Sequence, residues 1–121
     1  MKALTLKQLC RQSYALSKKK GWYGKDGKQK RNIPEMLMLM VSEIAEALED
    51  YRTGKMTLYR KVSFSMDNKP GKPCGFPSEM ADLFIRAGDL CELLGIDIEK
   101  AVQEKHEYNK TRPYRHGGKK C

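Results

Sequence analysis

At 121 residues, 40% of them hydrophobic and 32% charged, the chain suits one domain with a modest core, and neither a second domain nor wholesale disorder fits it. No uninterrupted apolar run approaches membrane-spanning length, and Lys7 and Arg11 interrupt the N-terminus before a signal-peptide core develops; a soluble, cytoplasmic protein is predicted. The net charge of +9 is compatible with nucleic acid, a polyphosphate ligand or plain solubility, and it gathers in predicted loops and tails at Lys18 to Lys20, Lys25 to Arg31, Lys69 to Lys72 and Lys110 to Lys120.

Cys10, Cys74, Cys91 and Cys121 form no CxxC pair and have no companion His at finger spacing, so they read as reduced thiols and not as a zinc site. Cys10 and Cys91 fall on apolar faces, and Cys121 is expected to be exposed.

The first predicted helix runs from about Thr5, its N-cap, to about Lys19, where Gly21 stops it. The loop that follows carries the only tryptophan, Trp22, beside Tyr23. At least one of these rings is expected to pack on the core, and the other offers a face on which a nucleobase could stack.

Asn32 and Pro34 open a second helix reaching about Thr53, with Leu37, Met40, Ile44, Leu48 and Tyr51 as its predicted core stripe. Glu43, Glu46 and Asp50 emerge to one side of that stripe. Residues 55–75 are the least readable stretch: Leu58 to Phe64 alternates loosely as a strand does but reads equally as a short helix or an excursion, and Pro70 and Pro73 mark a loop.

Phe76-Pro77-Ser78 starts a third helix closed by Gly95, with Met80, Leu83, Phe84, Ala87, Leu90, Cys91 and Leu94 as its stripe. Glu79 and Asp82 lie beside it, followed along the same strip by Arg86 and Leu93. Asp97 caps a fourth helix with Ile98, Ala101, Val102 and Tyr108 predicted inward and Lys105, Asn109 and Arg112 aligned on another face. Pro113 ends it, and a basic tail follows from about residue 113.

Each acid pair, Glu43 with Glu46 and Glu79 with Asp82, is spaced by three residues and so projects from one side of a helix. Spacing leaves two readings open. A solvated acidic face is the commoner origin of such runs, and helix dipoles favour Glu79 and Asp82 in a first turn. Alternatively the two helices pack so that four carboxylates share a cation, and an oxygen-only set suits Mg²⁺ or Mn²⁺. Lys105, Arg112 and Arg115 could then hold phosphate oxygens, Asn109 could orient sugar or phosphate, and Trp22 or Tyr23 could cover a base.

The motifs Ser42-Glu43-Ile44-Ala45-Glu46-Ala47-Leu48-Glu49 and Gly75-Phe76-Pro77-Ser78-Glu79-Met80-Ala81-Asp82, with Lys105, Tyr108-Asn109 and Arg112-Pro113 downstream, span most of the chain. In these the chain resembles the MazG-like nucleoside triphosphate pyrophosphohydrolases, an all-α superfamily that also includes dimeric dUTPases and dCTP pyrophosphatases. The resemblance implies a four-to-five-helix bundle completed by oligomerisation as a homodimer or homotetramer, with the whole chain, residues 1–121, as one such domain. It implies Mg²⁺, with Mn²⁺ as a substitute, held at Glu43, Glu46, Glu79 and Asp82, and nucleotide or phosphate contacts at Lys105, Asn109 and Arg112. The implied reaction is attack by a metal-activated water on the α-phosphorus of a (deoxy)nucleoside triphosphate, releasing pyrophosphate and a monophosphate.

Two features depart from the family pattern. Many members carry a further Glu where this chain has Ser42, and the link from Ala47 through Ser78 is longer than usual. The competing expectation, from a different class, is a basic helical nucleic-acid-binding or regulatory protein whose acid pairs are surface features.

Overall fold

Thr5 stands outside helical geometry, its hydroxyl accepting from the Gln8 amide (3.1 Å) while Gln8 Oε1 accepts from the Thr5 amide (2.9 Å). This reciprocal cap opens α1 (Leu6–Lys19). The computed structural model describes residues 1–61 and 71–121. Asn32 Oδ1 caps the Glu35 amide and Pro34 occupies the first turn of α2 (Ile33–Arg52), as their chemistry requires.

A two-residue antiparallel ribbon, β1 (Tyr59–Arg60) with β2 (Pro73–Cys74), sets Tyr59 opposite Cys74 and Arg60 opposite Pro73. Within the ambiguous stretch this supports a short excursion; the expectations for residues 62–70 lie outside the described residues. Gly75 then turns the chain into α3 (Phe76–Leu93) at φ 101, where any side chain would strike the Thr57 carbonyl oxygen. Asp97 Oδ1 caps the Lys100 amide at the start of α4 (Ile98–Lys110), and a single turn, α5 (Arg115–Gly118), follows Pro113. The described chain is mostly helical with one minimal ribbon, an all-α architecture, and none of its described helices is long and apolar enough to cross a membrane.

Helix α3 is the centre of the packing, flanked by α1 on one side and α2 on the other, while α4 touches α1. Gly88 permits the close approach of α1: a Cβ there would lie 3.3 Å from Cys10 Cα. Cys10, Met36, Ala47 and Leu90 are buried between these helices, and Tyr23 and Cys74 close the core from the loops.

The phase of α2 differs from the expectation. Leu37, Ile44, Leu48 and Tyr51, four of the five residues of its predicted core stripe, are 48–65% exposed. The buried residues of the helix are Met36, Glu43 and Ala47. The strip carrying the acids therefore faces α3. The exposed strip is the more continuously apolar of the two, while Glu43, Glu46 and Asp50 interrupt the strip that faces α3, so hydrophobic periodicity pointed to the wrong face. Likewise Ala101, Val102 and Tyr108 of α4, expected inward, are exposed, and α4 has no buried residue. Phe84 and Leu94 of α3 also remain about half exposed. The accessible surface is 10060 Å². A compact monomer of this mass exposes about 6,700 Å².

Candidate metal centre

Helices α2 and α3 pack by the faces that carry the acid pairs, so Glu43 in mid-α2 meets Glu79 and Asp82 in the first two turns of α3. One carboxylate oxygen from each of these three residues lies within 4.8 Å of the others. Glu46, a turn after Glu43, is more exposed but reaches Glu79, with which it shares a hydrogen bond. Three of the four carboxylates that the sequence singles out are thus brought to one place, with Glu46 beside them.

Their electrostatics are those of a site short of positive charge. Glu79 is pushed from the ordinary value of 4.5 up to about 7, first by loss of solvent and then by the proton it shares with Glu46 and Glu43. Asp82 is raised as well, by desolvation and by the charge of Glu43, while Arg86 and then Lys72 pull it back only in part. Glu43, 6% exposed, is met by the Arg86 guanidinium, whose Nε donates to Glu43 Oε1 at 2.8 Å. A hard divalent cation would relieve this crowding, since carboxylate oxygens are the ligands such ions take.

Glu43 and Asp82 also form one end of a cleft of about 230 Å³ whose far end is built around Asp89. Asp89 is buried and fully engaged: Tyr23 Oη donates to its Oδ1 at 2.7 Å, Ser17 Oγ to its Oδ2 at 2.7 Å, and Arg31 Nη1 approaches Oδ2 at 3.4 Å. Burial and the hydrogen bond to Asp89 push the Tyr23 phenol well above its usual range, so it stays a donor. Tyr14 packs edge-on against Tyr23 with centroids 5.1 Å apart. Of the two loop aromatics Tyr23 belongs to the core, and Trp22, 65% exposed, stands on the rim of the cleft with the Arg31 guanidinium 5.7 Å from its ring centroid.

The remaining expected contacts lie elsewhere. Lys105 and Asn109 border a shallow surface along α4 with Ile98, Val102 and His106, and neither they nor Arg112 line the cleft of this chain. Ser42 is committed to its own helix, its hydroxyl donating to the Leu39 carbonyl at 2.6 Å. Asp50 Oδ2 is buried and, among the described residues, has no hydrogen-bond partner.

Arg31, Arg86 and Asp89 were not assigned roles from the sequence. Arg86 and Asp89 follow Asp82 by four and seven residues, which repeats the strip of α3, and an acid between Gly88 and Leu90 in an apolar stretch was the available signal. Arg31 had none, because its partners are distant in sequence. Comparison with protein-family models, curated proteins and solved structures finds no match, so the chemistry of the chain rests on its own residues.

Proposed function

We propose that the protein is a Mg²⁺-dependent pyrophosphohydrolase that cleaves (deoxy)nucleoside triphosphates to monophosphate and pyrophosphate, with Mn²⁺ able to substitute. The observation that carries this reading is the meeting of Glu43, Glu79 and Asp82 within ligand distance at the end of a cleft that also holds two guanidiniums and an exposed indole. Carboxylates alone attract any cation. Carboxylates beside Arg31 and Arg86 accommodate a cation together with an anion, and a metal-bound polyphosphate is both.

Glu43, Glu46, Glu79 and Asp82 would hold the ion, which when bound polarises phosphate oxygens and acidifies the attacking water. The chain's own groups supply the rest. Ser42, whose hydroxyl is tied to the Leu39 carbonyl, does not serve as the water-activating base, so that role falls to one of the four carboxylates. The guanidiniums bind and orient phosphate oxygens, and Trp22 offers its face to a base.

The reading includes assembly as a homodimer or homotetramer. The exposed stripe of α2 and an apolar groove of about 330 Å³ between α1, α3 and α4 together leave uncovered the kind of surface that a second copy buries. In such an assembly Lys105, Asn109 and Arg112 of α4 could reach a neighbouring cleft.

The test is a panel of nucleoside triphosphates with Mg²⁺ and product identification. The expected products are a monophosphate and pyrophosphate. Release of orthophosphate would contradict this cleavage, and salt-sensitive RNA binding with no turnover in any assembly state would favour the nucleic-acid or regulatory reading instead.

A further inference from the structure

Arg86 stands at the centre of the cleft in an unusual position for a phosphate ligand, because its Nε is spent on Glu43, one of the carboxylates that would hold the ion. A guanidinium carries five donors in a planar fork. Among the described residues only Nε of Arg86 is engaged, its side chain is 38% exposed, and the cleft that it lines also contains Arg31, anchored by Asp89. Arg31 is mostly buried beside Asp89, and Arg86 is the more exposed of the two. Glu43 keeps its second oxygen for a divalent ion, but an ion bound there cancels the negative charge that attracts Arg86, so the ion pair weakens as the metal binds.

Resting on the pyrophosphohydrolase reading, we propose that Arg86 is a phosphate-binding residue of that site, held by Glu43 in the metal-free protein and released to the substrate's phosphates when the carboxylates take a divalent ion. Arg86 then does two things. Without metal it neutralises part of the acid cluster and keeps Glu43 in place. With metal the carboxylates are neutralised and attract it less, the ion's own charge repels it, and it is left within reach of the anion that the metal brings. Metal and polyphosphate binding become cooperative through one side chain, with the Arg31–Asp89 pair as the wall against which the anion is received.

The experiment titrates Mn²⁺ into wild type, Arg86→Gln and Arg86→Lys, then titrates inorganic pyrophosphate into each protein at saturating Mn²⁺. Removing the competing cation should tighten Mn²⁺ binding to Arg86→Gln, while pyrophosphate affinity falls by about tenfold or more, the worth of one charge-assisted contact. Arg86→Lys should recover part of the pyrophosphate affinity. A merely structural role for Arg86 would weaken both ligands together, and that result overturns the proposal. Wild type that binds Mn²⁺, with Arg86→Gln unchanged towards both ligands, overturns the proposal and leaves the metal-dependent reading standing. Wild type that binds no Mn²⁺ overturns both.

Discussion

The α2–α3 face and α4 carry similar sequence signals and end up in opposite situations. Both present polar residues beside an apolar stripe, yet α2 turns its acids into contact with α3, whereas α4 buries nothing and leaves Lys105 and Asn109 on open surface. The difference is what each helix is packed against. Helix α3 lies between α1 and α2 and fixes their phase, while α4 meets only the edge of α1, through contacts such as the Lys7 amide donating to Glu99 Oε1 at 2.8 Å. The acid cluster is therefore built within one chain, whereas a contribution of α4 belongs to the proposed assembly.

The largest effect should come from the acids. Glu79→Gln and Asp82→Asn are expected to lower Mg²⁺-dependent turnover by roughly a thousandfold or more while the helical circular dichroism is retained. Full activity in either variant would remove the acid face from the account. Next in size is assembly: Ile44→Glu, in the exposed stripe of α2, should shift the protein to monomers in light scattering, without the unfolding that a charge in a core would cause. An unchanged oligomer would place the interface elsewhere.

Smaller effects sharpen the comparison within the cleft. Tyr23→Phe removes one of the three groups donating to buried Asp89 and should cost about 1–3 kcal/mol in denaturant unfolding. Trp22→Ala, on the exposed rim, should leave stability nearly unchanged and act on substrate affinity.

The smallest effect is the pH dependence of the metal-free protein. Glu79 has a folded-state value of about 7, above its ordinary 4.5, so the folded chain holds its proton more tightly than the unfolded chain does. Its ionisation therefore costs stability increasingly as pH rises from about 4.5 to about 7, and the penalty is complete above that. Glu79→Gln should melt higher than wild type at pH 8 without metal, and the gap should close towards pH 4.5 or on adding Mg²⁺ to wild type. A gap independent of pH would mean that the carboxylates do not repel one another.

Helix boundaries were legible because caps are local chemistry. Thr5, Asn32, Asp97 and the Gly75-Phe76-Pro77 turn announce helix starts through groups only a few residues apart, and each lies where the sequence predicts. The acid pairs were legible as pairs for the same reason. What the sequence could not tell was which strip of α2 its own chain covers, since the larger apolar residues Ile44 and Leu48 lie on the exposed side and the buried side mixes Met36 and Ala47 with Glu43. Nor could it join Arg86 to Glu43 across 43 positions or Tyr23 to Asp89 across 66, because those pairings exist only once three helices have packed.

The most direct measurement is hydrolysis of a nucleoside triphosphate with Mg²⁺ in ¹⁸O-labelled water, with the label located by ³¹P NMR. Attack at the α-phosphorus predicts the label in the nucleoside monophosphate and unlabelled pyrophosphate as the other product. Label in orthophosphate or pyrophosphate, or no Mg²⁺-dependent product at any protein concentration, would contradict the function assigned to the α2–α3 carboxylates.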